Sequence, residues 1–284
     1  MNYIDLHTHS NASDGTCTPS EVVQRAVQKG LAAIALTDHD TVSGIDEAVS
    51  AASDLPIRLI PGTELSLAYK KQDIHIVGLF IDHHNKAFQD MTHLLVERRI
   101  RRNQEIIRRF NADGIPVTYD ELTGGNPDAV ITRAHFARYL VEHQIVKIPN
   151  EAFKKYLDPG CPYFIPREYI QPEDGIEIIR KAGGVPILAH PLHYKLPQKE
   201  LEALIVRLKD AGLMGIEVKY SNHTLQDEYY AGQLASRFHL LASGGSDFHG
   251  ANKPAIDIGT GRGNLAVPYE YLEHLAAAVD YPLS

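Results

Sequence analysis

The chain has 284 residues, of which 44% are hydrophobic and 23% charged, as expected for a folded protein with a sizeable core. Its formal net charge of -8 at pH 7 argues against a protein that coats nucleic acid, so any polyanion must meet a local basic surface. The two cysteines, Cys17 and Cys161, match no metal-binding spacing, and we expect reduced thiols. No secretory signal and no run of about 18 apolar residues is evident, which predicts a cytoplasmic protein without a membrane span.

Short apolar runs alternate with amphipathic stretches along most of the chain. We interpret the runs as strands at residues 3–6, 32–36, 58–60, 74–80, 185–189, 215–219 and 240–243. Thr-Pro-Ser-Glu at residues 18–21 is typical of a capping box, so a helix to about residue 29 is expected. A further helix should begin at Pro172 and end at Gly183. The alternation predicts an α/β fold with parallel strands and crossover helices, either a barrel or a doubly wound sheet.

The alternation breaks between residues 88 and 166. Helical patterns dominate there, at residues 89–113, 133–144 and 150–157, and no strand pattern interrupts them. We therefore predict a barrel formed by residues 1–87 and 167–284 and a helical insertion domain formed by residues 88–166. Such an insertion does least harm to the core when it lies on the functional rim, where it can contribute to the substrate site.

Many of the fifteen histidines follow the ends of predicted strands. The carboxyl ends of parallel strands form one rim, so residues far apart in sequence can meet there. Six histidines and three carboxylates occupy or adjoin such positions: His7, His9, Asp14, His39, Glu64, His75, His190, Asp247 and His249. This set exceeds the needs of one ion. Imidazole and carboxylate without thiolate favour manganese, iron or zinc over magnesium or calcium.

Each of these motifs has a simpler explanation when it is taken alone. A His-x-His pair near a strand end is often structural, and Thr-Asp-His-Asp at residues 37–40 can be a turn with capping carboxylates. Ser-Asp-Phe-His at residues 246–249 can be a solvated loop. Their recurrence at matching places in the alternating pattern favours metal binding.

Five motifs, in this order, resemble the polymerase and histidinol phosphatase (PHP) family: Asp-Leu-His-Thr-His-Ser at residues 5–10, Thr-Asp-His-Asp at 37–40, Gly-Thr-Glu at 62–64, His-Pro at 190–191 and Ser-Asp-Phe-His at 246–249. The resemblance implies a distorted (β/α)7 barrel that holds two or three divalent ions, with manganese favoured and iron or zinc as alternatives. It implies three ligand sets: His7, His9, Glu64 and Asp247; Glu64, His75 and His190; and Asp14, His39 and His249. The neighbouring Asp5, Asp38 and Asp40 are interpreted as groups that orient the ligating imidazoles.

The insertion narrows the expected substrate. Thr-Arg-Ala-His-Phe-Ala-Arg at residues 132–138 resembles PHP members that act on nucleoside 3′,5′-bisphosphates and on 5′-phosphorylated short RNA. The planar guanidinium of Arg133 can bind a phosphate through two N–H groups, and His135 can supply a second donor. The alternative explanation of the arginines is an ordinary solvated helix face. Six arginines between residues 98 and 109 form either another solvated face or a surface that meets an RNA backbone, and both readings stay open.

A third group of candidate substrate contacts follows the predicted strand that carries Glu217. Lys219, Asn222 and His223 are placed to contact the leaving nucleotide or its phosphate. We assign His223 as the candidate proton donor to the leaving oxygen, although a loop histidine is more often a surface residue. Glu217 itself is expected to lie buried behind the site.

The predicted reaction is metal-assisted in-line hydrolysis of a phosphate ester. The expected substrates are the 3′-phosphate of nucleoside 3′,5′-bisphosphates and 5′-phosphorylated short RNA, degraded from its 5′ end. Two other enzyme classes remain as alternatives: a histidinol-phosphate phosphatase, and a metal-dependent amidohydrolase, which also begins with His-x-His and ends with an aspartate on a barrel. A metal-binding module without catalysis is a further alternative, but all nine ligand positions are filled.

Overall fold

The computed structural model describes residues 2–70, 72–126, 129–166, 168 and 170–283. In this part of the chain eight strands form one sheet: β1 (Tyr3–Thr8), β2 (Ala33–Leu36), β3 (Arg58–Tyr69), β4 (Gln72–Leu79), β5 (Val185–Leu188), β6 (Gly215–Tyr220), β7 (Leu241–Gly245) and β8 (Val267–Pro268). All seven predicted strands are present. β3 is much longer than its apolar core suggests, and β8 is an addition to the predicted set.

The strands are ordered β7-β6-β5-β4-β3-β2-β1-β8 across the sheet. β1, β2 and β3 are parallel to one another, and so are β5, β6 and β7. β4 is antiparallel to both of its neighbours, and β8 is antiparallel to β1. The expectation of parallel strands is therefore wrong at β4, and β8, which was not predicted, is also antiparallel. The chain reverses after β3 at Lys70, where φ is 54°, and an apolar run does not itself reveal strand direction.

The sheet curves into a barrel that closes between β1 and the segment after β7. The backbone N–H of Asp247 donates to the His7 carbonyl (2.8 Å), and the N–H of His9 donates to the Phe248 carbonyl (3.0 Å). Gly245 permits this approach, because a Cβ there would lie 2.3 Å from the Cβ of His7. The predicted α/β barrel is thus confirmed, and its closure brings the first and last ligand motifs together.

The helices are α1 (Pro19–Gln28), α2 (Ile45–Ala52), α3 (Lys86–Ala112), α4 (Tyr119–Thr123), α5 (Arg133–Glu142), α6 (Pro149–Ala152), α7 (Pro172–Lys181), α8 (Gln198–Asp210), α9 (Leu225–Arg237) and α10 (Tyr269–Ala277). The predicted capping box of α1 is present: Thr18 Oγ1 accepts from the N–H of Glu21 (3.2 Å), and Glu21 Oε2 accepts from the N–H of Thr18 (2.8 Å). Among the described residues, no helix is long and apolar enough to cross a membrane.

Helices α3 to α6 lie between β4 and α7, in the region predicted as the insertion. The described part of residues 88–166 contains no strand. Its helices bury a hydrophobic cluster of their own, in which the rings of Phe110 and Tyr163 stack with centroids 3.9 Å apart and Phe136 lies alongside. This separate cluster agrees with a region that has its own core.

Polar contacts connect these helices to the ligand-bearing loops of the barrel. The guanidinium of Arg99 on α3 is buried and donates through Nε to Asp40 Oδ2 (2.7 Å). Thr132 Oγ1, at the start of α5, donates to Asp14 Oδ2 (2.8 Å). The arginine-rich run is therefore not one basic face, because Arg99 and Arg102 are buried while Arg108 and Arg109 bind Glu105.

Candidate metal centre

Glu64 stands at the middle of a ring of imidazoles. It lies on β3, next to the loops that follow β1 and β2, and its carboxylate is almost completely buried. Five histidine nitrogens lie within 3.3 Å of its oxygens, from His7, His9, His39, His75 and His190. The strand ends thus bring residues from positions 7 to 190 around one carboxylate, which can bridge two ions.

Two further carboxylates extend the cluster on one side. Asp247 Oδ1 lies 3.4 Å from His9 Nε2 and 3.3 Å from His249 Nδ1. Asp14 Oδ1 lies 3.1 Å from His249 Nε2 and 3.8 Å from His39 Nε2. All nine residues predicted from the sequence therefore meet at one end of the barrel.

The nine side chains fall into four overlapping groups, in each of which one donor atom per residue lies within 4.8 Å of the others: His7, His9 and Asp247; His7, Glu64 and His190; His39, Glu64 and His75; and His9, Asp14, His39 and His249. The third predicted set, Asp14, His39 and His249, thus lies together with His9. His75 and His190 both contact Glu64 Oε1, at 2.8 and 2.9 Å. Because the nine side chains form several such groups, they can hold more than one ion.

The carboxylates and the imidazoles of the cluster shift each other's pKa values. Burial acts to raise the pKa of Glu64, but the imidazoles of His75, His39 and His7 hold that pKa well below its ordinary value. Burial lowers the pKa of His39 and of His249, so both rings are neutral near pH 7. Burial also acts to lower the pKa of His7 and of His9, but the neighbouring carboxylates outweigh it and raise the pKa of His7 well above its ordinary value and that of His9 to about 9. A cation bound at the cluster would therefore displace protons from His7 and His9.

Several buried atoms of these side chains make no hydrogen bond of good geometry within the described part of the chain. They are His9 Nδ1 and His190 Nδ1, and also Asp14 Oδ1 and His39 Nδ1, which lie 3.1 Å from His249 Nε2 and from Glu64 Oε2. A buried polar atom without a partner costs free energy unless something absent from the protein itself satisfies it. The donor set is imidazole nitrogen and carboxylate oxygen at strand ends, and it fits divalent ions of the manganese, iron or zinc type.

A second layer of carboxylates orders the ligands, but not in the way that was predicted. Glu217, on β6, accepts from His7 Nδ1 (2.8 Å) and from the backbone N–H of His190 (2.6 Å). Asp5 instead accepts from the N–H groups of Ser246 and Gly259, Asp38 from Ser10 and Ser13, and Asp40 from Ser66 and Arg99. These three aspartates hold the ligand-bearing loops. Glu217 is the group that orients an imidazole.

A cavity of about 460 Å³ opens over the cluster, and we call it the site cavity. The ligands His75, His190 and Asp247 form its floor, and Tyr220, Asn222, Lys253 and Arg262 form part of its wall. Arg262 Nε donates to Asn222 Oδ1 (2.7 Å), while Lys253 Nζ and the Tyr220 hydroxyl donate to Asp247 Oδ2 (2.6 and 2.8 Å). A cationic wall therefore faces the cluster across a space large enough for a small ligand.

The predicted substrate residues are distributed more widely. Asn222 lines the site cavity, whereas Lys219 forms an ion pair with Glu228 on α9 (2.8 Å) and does not line it. His223 is buried beside Tyr220, with Nδ1 on the Val218 carbonyl (2.9 Å), and also lies outside the cavity wall. The structure thus presents the Tyr220 hydroxyl, not the His223 ring, to the cavity.

The two predicted residues of α5 lie near its first turn. Arg133 Nη2 lies 3.5 Å from Asp73 Oδ2, and its side chain is partly exposed. His135 is buried, and its Nδ1 accepts from the N–H of Thr132 (3.1 Å), which completes a capping box. Burial lowers the pKa of His135 to about 4. His135 therefore caps α5 through Nδ1, and this hydrogen bond leaves the Nε2–H as the remaining donor of the ring.

Sequence reasoning missed Tyr220, Lys253 and Arg262. Tyr220 ends β6 one residue after the predicted strand end, so its position at the rim was recognisable. Lys253 and Arg262 lie in the long connection between β7 and β8, which carries no periodic pattern. Only the three-dimensional course of that connection brings them over the cluster.

The PHP domain matches residues 5–159, more than half of the chain. The chain belongs to the PHP family. It is 38% identical over 261 residues to a 3′,5′-nucleoside bisphosphate phosphatase of Chromobacterium violaceum, with 91% of each chain covered. It is 42% identical over 248 residues to a 5′-3′ exoribonuclease of Haemophilus influenzae, covering 86% of this chain and 89% of that one.

Two solved structures share the fold of this PHP chain. An amidohydrolase from Chromobacterium violaceum, with bound sulfate and no metal, superposes with a TM-score of 0.87 at 37% identity, covering 97% of this chain and 96% of that one. A metal-dependent phosphoesterase from Bifidobacterium adolescentis superposes with a TM-score of 0.85 at 28% identity and the same coverage. The fold and the family both identify the chain as a metal-dependent phosphoric ester hydrolase.

Proposed function

We propose that this chain hydrolyses the 3′-phosphate ester of nucleoside 3′,5′-bisphosphates and removes nucleotides from the 5′ end of short 5′-phosphorylated RNA. The observation that carries the proposal is the convergence of six imidazoles and three carboxylates beneath a cavity with a cationic wall. Relatives with 38% and 42% identity over most of their length bear the names of these two activities. The two reactions share one chemistry, since each breaks a bond between phosphorus and a 3′ oxygen.

The proposed domain division follows the prediction, with residues 1–87 and 167–284 as the barrel and 88–166 as the insertion. The nine converging residues are the proposed ligands of two or three divalent ions. Manganese is the proposed ion, because imidazole and carboxylate donors suit it, and iron or zinc would suit the same donors. Asn222 and Arg262, which line the site cavity, and Arg133, on the first turn of α5, are the proposed phosphate contacts, since each offers N–H donors.

When bound, the ions activate a water molecule and neutralise charge on the phosphoryl oxygens. The surrounding residues fix the ligands for that task. Glu217 accepts from His7 Nδ1, so Nε2 keeps its lone pair directed at the cluster. Burial and the neighbouring Asp247 raise the pKa of Tyr220 well above its ordinary value, so its hydroxyl stays protonated and donates to Asp247 Oδ2. Asp247 Oδ1 takes part in neither contact and would be the oxygen available to a bound ion.

The cytoplasm is the proposed compartment, in agreement with two cysteines that form no disulfide. Histidinol phosphate and cyclic amides are the alternative substrates. The phosphoesterase proposal is favoured over an amidohydrolase because Arg262, Lys253 and Asn222 give the cavity wall N–H donors suited to a second phosphate.

The test is release of phosphate and nucleotide from adenosine 3′,5′-bisphosphate and from a 5′-phosphorylated RNA oligomer, with manganese supplied. AMP and phosphate should appear from the first substrate and mononucleotides from the second. His7→Ala should abolish both, whereas His274→Ala, a matched change at an exposed position on α10, should retain both. Turnover of neither substrate by the unmodified protein with metal bound would reject the proposal, and histidinol phosphate and cyclic amides would be assayed next.

A further inference from the structure

Two cavities meet at the proposed metal centre. The second one, of about 820 Å³, lies between α5 and the loops that follow β1 and β7, and we call it the insertion cleft. Its lining includes Asp14, His249, Arg138, Val141, Pro149 and Phe153. His39 and Lys253 line both cavities. The cluster is therefore open on two sides: Glu64, His75 and His190 face the site cavity, whereas Asp14 and His249 face the insertion cleft.

The two cavities differ in chemistry. The wall of the site cavity carries hydrogen-bond donors, with Arg262 held against Asn222. The wall of the insertion cleft is largely apolar on the side of the helices, where Val141 and Phe153 lie, and Arg138 adds one cation. Besides Asp14, two carboxylates line the cleft: Glu121 accepts from Thr118, and Glu142 lies 3.8 Å from Arg138. Arg138 Nη2 also donates to the Leu122 carbonyl (3.0 Å). An apolar wall with an aromatic ring and an arginine suits a nucleobase and its phosphate.

A nucleoside bisphosphate does not need both spaces. Its reacting phosphate binds at the ions, and its single nucleoside and 5′-phosphate occupy one side. An RNA chain has a nucleoside on each side of the reacting phosphate. Two unlike cavities joined across one cluster of ligands therefore match an oligonucleotide better than they match a mononucleotide.

We propose that the insertion cleft binds the nucleotide on the 3′ side of the scissile phosphate of 5′-phosphorylated RNA, while the first nucleotide lies in the site cavity. This inference rests on the proposed function. Water adds to phosphorus, the bond from phosphorus to the 3′ oxygen of the first nucleotide breaks, and that oxygen takes up a proton. The phosphate stays on the 5′ oxygen of the second nucleotide, so the shortened RNA again carries a 5′-phosphate. Phe153 stacks on the second base, and Arg138 lies by its phosphate.

The test compares kcat/KM for adenosine 3′,5′-bisphosphate with kcat/KM for a 5′-phosphorylated ribotetranucleotide. Phe153→Ala removes the stacking ring, and Val141→Trp fills the cleft. Each should lower the ratio of oligomer to mononucleotide kcat/KM by about tenfold, the loss expected when one base is unstacked. Val206→Trp makes the same change on the outer face of α8, where the valine is 46% exposed, and should leave the ratio unaltered.

The outcomes separate the cleft from the proposed function. The cleft assignment would be overturned if the ratio of oligomer to mononucleotide kcat/KM stayed constant in both Phe153→Ala and Val141→Trp. This holds whether the two kcat/KM values are unchanged or decrease by the same factor. The same conclusion would follow if the unmodified protein cleaved the bisphosphate and left the oligomer intact. Absence of turnover on both substrates would reject the proposed function itself, and the cleft inference with it.

Discussion

Glu217→Gln is the most direct test of how the protein prepares its ligands. The carboxylate is buried and accepts two hydrogen bonds, from His7 Nδ1 at 2.8 Å and from the N–H of His190 at 2.6 Å. Glutamine keeps the shape but offers only one acceptor, so it can serve one of the two donors. If its oxygen serves His190, its NH2 group faces His7 Nδ1 and moves the ring proton to Nε2, where it blocks coordination. If its oxygen serves His7, the His190 N–H is left buried beside another donor.

Both arrangements weaken the proposed metal centre. Loss of a partner behind a ligating imidazole typically lowers metal affinity by roughly 10- to 100-fold, or about 1.4 to 2.8 kcal/mol. An unpartnered buried N–H costs about 1 to 3 kcal/mol of folding free energy in the second arrangement. We therefore expect weaker manganese binding together with a moderate loss of stability.

The assay is calorimetric titration of the chelator-treated protein with manganese, accompanied by urea unfolding of the same samples. Glu177→Gln is the matched control, because Glu177 lies exposed on α7 and, among the described residues, pairs with Lys181 on the same helix. The control should bind manganese like the unmodified protein. Equal manganese affinity in Glu217→Gln, with the fold intact, would refute the role of Glu217 in fixing the His7 tautomer.

Three further predictions concern the packing around the site. Burial lowers the pKa of His135 to about 4, so below its ordinary pKa the unfolded chain binds more protons than the folded one, and the free energy of unfolding falls by up to about 3 kcal/mol as pH drops from about 6.5 to about 4. In His135→Gln, urea unfolding should no longer show this part of the pH dependence, and an unchanged pH profile would contradict the prediction. Arg99→Ala leaves the buried Asp40 carboxylate without its partner charge and should lower the free energy of unfolding by about 3 to 5 kcal/mol. Adding Asp40→Asn should recover part of this loss, and a loss under about 1 kcal/mol in Arg99→Ala would argue against a buried ion pair. Gly245→Ala should misfold or lose about 1 to 3 kcal/mol, because its Cβ would overlap β1, and a thermal melt like that of the unmodified protein would contradict that contact.

The barrel and the ligand cluster could be predicted from the sequence because they rest on local signals. Most strands contain a short apolar run, and the ligands at or just beyond the ends of β1, β2, β5 and β7 follow the carboxyl-end rule. Glu64 and His75 instead lie within β3 and the antiparallel β4. The helix starts at Thr18 and Pro172 follow from capping residues and proline. These features need no knowledge of which strands are neighbours.

Features that depend on strand direction and on loop paths could not be predicted in this way. The reversal at Lys70 has no Asn-Gly or Asp-Gly signal, so β3 and β4 read as separate strands of either direction. Arg262 meets Asn222 across 40 positions that include α9 and β7, and Arg262 itself lies in the irregular connection after β7. An acidic side chain next to a ligand, such as Asp38, has the same local sequence whether it holds an imidazole or a loop, and only the fold separates the two.

The closure of the barrel has a consequence for biosynthesis. The backbone N–H of Ser246 donates to Asp5 across 241 positions of chain, and the two ligand motifs that flank this contact come from opposite ends of the protein. Loop-closure entropy makes so distant a contact one of the last to form. A nascent chain that has not yet reached β7 carries His7, His9 and Glu64 without Asp247 and His249. We therefore expect the full set of metal ions to bind only after the ribosome has synthesised β7 and the loop that follows it.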